Sequence, residues 1–293
     1  MSYAGQESET RGSTTRRRPL GIAAFEYRLP LDEKLARVVA LGADCCELAT
    51  PGDVSVENAA AVAEAVGQTG VHVTAVASLS KPNSPDGTEA GLQLLEESIR
   101  CAEALGAPYA IAYFGAHPER PASDAIERYR RLVRPFVELA AERGVTILIE
   151  NHFSHAPGDV TSGPSGCAEL IAAVDAENFA LNFDPCNFAI AGVDVSAAYE
   201  DLKQFVRNVH VKDARRYDSV RDADYVGRVV DDTNRGKFLF VPVGEGITDN
   251  TSVLNALGRD GYTGAVTIEA HTPEETLDEV FAKGLSYCRE LVV

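Results

Sequence analysis

The chain has 293 residues, 45% of them hydrophobic, and a formal net charge of −17. The length suits one large α/β domain, and no apolar run is long enough to span a bilayer. The acidic balance disfavours nucleic acid, whose phosphates demand cationic partners, and anionic membrane surfaces, so neither is expected as a partner.

Met1 to Arg18 is polar and carries Arg16-Arg17-Arg18, with no sustained apolar run after it to make an export signal. It reads as a disordered tail over 1–18, leaving 19–293 as the folded domain. The six cysteines (Cys45, Cys46, Cys101, Cys167, Cys186 and Cys288) include no C-x-x-C pair, which fits a reduced, cytoplasmic protein.

Leu20 to Phe25 is the first predicted strand. Leu31 to Leu41 follows at near-helical spacing, with Gly42 as its stop. Asp44 to Leu48 is a second strand, with Glu47 near its end. Val56 to Val66 is an Ala-rich helix and Val71 to Ala77 a third strand. Next come a helix over Thr88 to Leu105, a strand over Tyr109 to Tyr113 with His117 just beyond, and a helix over Ser123 to Arg143. The fifth strand begins at Val145, a β-branched run that ends abruptly in Glu150-Asn151-His152. A helix over Gly166 to Val174, a sixth strand from Phe179 to Asp184, a short helix over Ala197 to Phe205 and a seventh strand from Asn208 to Asp213 follow. About Ala214 to Gly246 reads as a long polar connection. A helix over Thr251 to Leu257, an eighth strand from Gly264 to Glu269 and a helix over Glu274 to Leu291 come last.

Eight alternating strand–helix units imply a parallel sheet with right-handed crossovers, and their number fits a single (β/α)8 TIM barrel. A doubly wound open sheet is the alternative, but no G-x-G-x-x-G follows any predicted strand.

Glu150, Asp184, His210 and Glu269 lie at or near the C-terminal ends of strands five, six, seven and eight. Alone, such a carboxylate usually caps the next helix and such a histidine usually sits satisfied in the core. On four adjacent staves of one barrel they converge at the rim where chemistry takes place. Three crowded carboxylates repel unless protons or a cation relieve them. One divalent ion is the expected remedy. Oxygen ligands with one imidazole suit Mn²⁺ first, then Mg²⁺, with Co²⁺ or Zn²⁺ compatible.

The segments Ile149-Glu150-Asn-His152, Phe183-Asp184-Pro185-x-Asn187, His210-Val-Lys212-Asp213, Val243-Gly244-Glu245-Gly246 and Ile268-Glu269 resemble the xylose isomerase-like barrel superfamily, in its sugar (or sugar-phosphate) isomerase/epimerase branch. The resemblance implies a sugar or keto-sugar substrate and a homo-oligomer. It implies that Glu150, Asp184, His210 and Glu269 hold the metal, and that Glu150 and Glu269 are the acid/base pair on opposite faces of the substrate. Two departures stand out: Asn187 where several ketose epimerases carry a substrate-binding histidine, and Ala156 where they carry a glutamate. His152 shares strand parity with Glu150, as Lys212 does with His210. His152 is thus a candidate base, and Asn187, Lys212, Arg215, Arg216, His117 and Glu47 are candidate substrate contacts.

Three rivals share the scaffold. A lyase (a dehydratase or a 3-oxo-C-glycoside deglycosidase) would let the same enediolate expel a β-substituent, and the two departures keep it in play. A DNA-repair enzyme of the endonuclease IV type is disfavoured by six histidines and the acidic charge. A non-catalytic sugar-binding barrel is disfavoured by the complete four-residue set.

Overall fold

The apolar, β-branched runs of the sequence lie side by side and close on themselves. The computed structural model describes residues 18–291 except 86, 117–118 and 155–157. The barrel strands are β1 (Leu20–Ala23), β2 (Cys45–Thr50), β3 (His72–Ser78), β4 (Tyr109–Ala112), β5 (Thr146–Glu150), β6 (Phe179–Phe183), β7 (Val206–Val211) and, last in the chain, β11 (Val266–Ile268). All pair in parallel, in the order β1-β11-β7-β6-β5-β4-β3-β2, and β11 against β1 closes the ring. This is the predicted (β/α)8 TIM barrel.

The outer layer comprises α1 (Leu31–Ala40), α2 (Ala59–Gly67), α3 (Thr88–Leu105), α4 (Ala122–Glu142), α5 (Pro164–Val174), α6 (Pro185–Ala191), α7 (Val195–Leu202), α8 (Asn250–Arg259) and α9 (Leu277–Leu291). Their apolar stripes cover the outward strand faces in one continuous core that includes Ile22, Leu48, Ile147, Ile149, Leu181 and Val209. With both faces covered, the strands read as unbroken apolar runs rather than alternating ones. Inside the barrel, Ala75, Ile111, Leu148 and Ala180 form a small apolar cluster. The polar side chains of the interior follow from the strands that end in acids and amides.

The stretch expected as a polar connection carries structure. β8 (Asp213–Arg216), β9 (Val229–Asp232) and β10 (Gly236–Val241) form an antiparallel sheet in the order β8-β10-β9. Its buried face, with Ala214, Val230, Phe238 and Phe240, packs on Phe153, Cys186 and Ile190. The sheet therefore sits over the loop after β5 and over α6. That short helix also departs from expectation. Asp184 caps it by accepting from Asn187 N, and Pro185 opens it. α7 starts two residues earlier than the periodicity suggests, because Asp194 accepts from both Ser196 N and Ala197 N. No described helix is long and apolar enough to cross a membrane.

Candidate metal centre

Glu150 ends β5, Asp184 follows β6, His210 lies within β7 and Glu269 follows β11. Each strand delivers its residue to the same end of the barrel. All four side chains are buried, and one ligand atom from each lies within 4.8 Å of the others. Four staves thus build a cluster of three carboxyl groups and one imidazole, able to hold a divalent cation.

The surroundings fix each member. His210 Nε2 lies 2.9 Å from Glu47 Oε2, so Nδ1 turns inward. Among the described residues that nitrogen is buried without a hydrogen-bond partner, 3.4 Å from Glu150 Oε2 and 3.5 Å from Glu269 Oε2. A ring nitrogen aimed at carboxylates, with its other nitrogen held by a carboxylate, is the usual arrangement of a metal-binding histidine. The donor set therefore fits the expected ion on an observation of the fold itself. Glu150 accepts from Asn182 Nδ2 (2.9 Å) and Asn187 Nδ2 (3.1 Å), with the Tyr113 hydroxyl 3.5 Å away. Asn151 donates to Asp184 O and accepts from Asp184 N, both at 2.8 Å, fastening the ends of β5 and β6 together.

Lys212 Nζ lies 2.7 Å from Asp184 Oδ2 and 2.6 Å from Glu269 Oε2. Its ammonium lies over the Phe240 ring, 5.6 Å from Nζ to the centroid. Burial works to lower the Lys212 pKa, but Asp184 and Glu269 outweigh it and hold the ammonium charged. His210 is raised in the same way by Glu47 and Glu150. The two proposed acid/base groups are pushed apart. Burial and the charges of Glu269 and Asp184 carry Glu150 up to about 7. Glu269 is also buried, but His271 and Lys212 overcome that and hold it well below the usual carboxylate range.

The remaining expected contacts separate. Asn187 and Lys212 belong to the cluster. Glu47 lies beneath it, accepting from Asn208 Nδ2 (2.9 Å) and Thr267 Oγ1 (2.7 Å) as well as facing His210. His152 stands one ring away, edge-on to Tyr113 at 5.7 Å, with Nδ1 2.9 Å from Phe153 O. Arg215 and Arg216 are tied to the outer sheet instead. Arg215 makes a two-pronged pair with Asp222 at 2.7 Å, while Arg216 lies over Phe238 at 5.1 Å and donates to Arg235 O. His117 and Ala156 lie outside the described residues.

The sequence reading missed His271 and Glu26. His271 Nε2 is 3.1 Å from Glu269 Oε1, and Nδ1 is 2.6 Å from Glu26 Oε1. Burial opposes its charge, but Glu269 and Glu26 prevail and raise it to about 9. Its sequence signal was available: it stands two residues beyond Glu269, as His152 does beyond Glu150.

Parallel barrel, rim cluster and inward imidazole together define a (β/α)8 protein with a carboxylate–histidine cluster able to hold a cation. The chain belongs to the xylose isomerase-like TIM barrel family, whose model matches residues 35–291. It is 25% identical over 283 residues to the L-ribulose-5-phosphate 3-epimerase of Escherichia coli O157:H7, covering 89% of this chain and 91% of that protein. Among solved structures, it resembles a xylose isomerase domain protein from Planctomyces limnophilus (19% identity, 94% and 97% of the two chains, TM-score 0.76). A 3-keto-D-glucoside 4-epimerase from E. coli is similar in fold (17% identity, 94% and 100% of the two chains, TM-score 0.72).

Proposed function

We propose that this protein is a divalent-metal-dependent enzyme that enolises a keto-sugar or related polyhydroxy ketone and acts as an epimerase or isomerase. The observation that carries the reading is the buried set Glu150, Asp184, His210 and Glu269, with ligand atoms within 4.8 Å and His210 Nδ1 turned inward. The epimerase names of two of the similar proteins point the same way.

Glu150, Asp184, His210 and Glu269 would hold one divalent ion, Mn²⁺ by the character of the donors, which would supply Lewis acidity to a substrate carbonyl and so acidify the neighbouring C–H. The protein's part is proton transfer and orientation. One of Glu150 and Glu269 removes the proton α to the ketone. The other returns a proton to the opposite face, which inverts that carbon; return to the neighbouring carbon from the same face gives aldose–ketose isomerisation. Such positioned groups typically contribute ~10²–10⁴-fold in rate. Asn187 and Asn182 hold Glu150 in place for this work. Buried cysteines, all of them free, suit a cytoplasmic setting.

The test is deuterium wash-in. Mn²⁺-loaded protein is incubated in D₂O with a panel of keto-sugars, sugar phosphates and 3-oxo-glycosides and followed by NMR and mass spectrometry. Deuterium α to a carbonyl, abolished by Glu150→Gln or Glu269→Gln, is the expected result. An unsaturated or cleaved product in place of an isomer would move the assignment to a lyase. Absence of exchange with every compound, despite one bound ion, would sink enolisation.

A further inference from the structure

Glu269 uses its two oxygens differently. Oε2 faces the cluster, 2.6 Å from Lys212 Nζ and 3.5 Å from His210 Nδ1. Oε1 faces away, 3.1 Å from His271 Nε2. His271 is itself clamped. Its Nδ1 meets Glu26 Oε1 at 2.6 Å and its backbone N–H donates to Glu26 Oε2 at 3.1 Å, so one carboxylate grips both ring and main chain. The Phe240 ring closes on its edge at 4.9 Å. The backbone at His271 has φ 54, in the left-handed region that side-chain-bearing residues seldom occupy. Such a conformation persists only where the surroundings over-determine it. Here it turns the ring back toward the residue two positions earlier.

We infer that His271, gripped by Glu26, is a positioning residue that holds Glu269 with a single carboxylate oxygen presented to the cation site. The inference deepens the proposed function and rests on Glu269 being a ligand there. Glu26, His271 and Glu269 also bring ligand atoms within 4.8 Å of one another. They do not form a second cation cradle, because the two carboxylates approach opposite nitrogens of the ring. Each ring nitrogen faces one of the two carboxylates, and Arg228 Nη1 lies 3.5 Å from Nδ1. Glu26 follows β1, the barrel partner of β11, so the clamp crosses the seam at which the barrel closes.

The test separates positioning from backbone fit. Gln places its amide nitrogen near the level of His Nε2 and can still donate to Glu269. Asn is too short to do so, yet tolerates the left-handed region better than most residues. The metal-free full-length protein and its His271→Gln, His271→Asn and His271→Leu variants are titrated with Mn²⁺, and free Mn²⁺ is read by electron paramagnetic resonance. The expected result is near-wild-type affinity for His271→Gln. His271→Asn and His271→Leu should bind about 10–100-fold more weakly, with the Asn variant no less thermally stable than the Gln variant. Wild-type affinity in His271→Asn would overturn the inference, as would equal losses in the Gln and Asn variants or a wild-type protein that takes up no Mn²⁺. Tight Mn²⁺ binding without deuterium exchange would overturn enolisation alone and leave the positioning role standing.

Discussion

Glu47 carries three partners on two oxygens: His210 on Oε2, and Asn208 and Thr267 on Oε1. An amide offers only one acceptor oxygen, so Glu47→Gln must abandon either the imidazole or the pair beneath it. Mn²⁺ affinity should fall about 10–100-fold in that variant, measured by calorimetric titration, with the fold retained by circular dichroism. Asn187 makes a parallel case. Its amide donates to Glu150 Oε1 and to Asn151 O, tying a candidate acid/base group to a fixed main chain. Asn187→Ala leaves both acceptors short of a donor, at about 1–3 kcal/mol. If that loss bears on the reacting geometry, kcat falls roughly 5- to 150-fold with little change in KM. An unchanged kcat would remove Asn187 from the machinery. The sequence marked Asn187 as a departure from a histidine and a candidate substrate contact, and Glu47 as a rim contact. Neither the buried role of Glu47 nor the clamp on His271 could be read there, because each depends on which strand ends face one another across the barrel.

At the level of elements, the small sheet hangs on one side chain. The Asp213 carboxylate accepts from Ala214 N, Gly244 N, Gly246 N and Thr248 N at 2.9–3.0 Å, folding the turn after β10 back onto the start of β8. Asp213→Ala strands these donors. Amide hydrogen exchange should quicken first in 242–248, and trypsin should cut the variant sooner than the wild type. Gly246 reports on the same joint from the other side. A Cβ there would lie 2.2 Å from Asp213 Oδ1 and 2.3 Å from Ala214 O, both held in place. Gly246→Ala should cost about 1–3 kcal/mol in urea unfolding; a neutral result would mean the turn is free to move. These elements were hard to see in advance. Val229-Val-Asp-Asp and Gly236-Lys carry the polar and glycine content of a loop, and their strand pairing is supplied by neighbours distant in sequence. The Asp184-Pro185 cap signal of α6 was present but was absorbed into the strand end before it.

For the molecule as a whole, the barrel was legible because burial on both faces writes each strand as an apolar run bounded by polar ends. Strict alternation with helices leaves few ways to connect such runs. The four-residue cluster was legible for the same reason, since strand ends of adjacent staves must converge. The closed core also sets the behaviour of the thiols. Cys45, Cys46, Cys101, Cys167, Cys186 and Cys288 are all buried. Burial pushes Cys101 up to about 11, and Cys45 and Cys288 to about 12. Folded protein should therefore react negligibly with a thiol reagent at pH 8 and release six equivalents only in denaturant; early labelling would show an opening in the barrel wall.

The order of the four cluster residues along the chain has a consequence for how the proposed ion would be acquired. Glu150, Asp184 and His210 are made well before Glu269, and Glu269 follows β11, the strand that β1 must await to complete the ring. During synthesis no partial barrel carries the whole set, and the earlier carboxylates offer an emerging chain only a loose, incomplete claw. For the proposed ion, selection among competing metals would thus wait until the scaffold has closed. It would then fall to four side chains held by strand ends, which offer a more fixed geometry than a flexible peptide can.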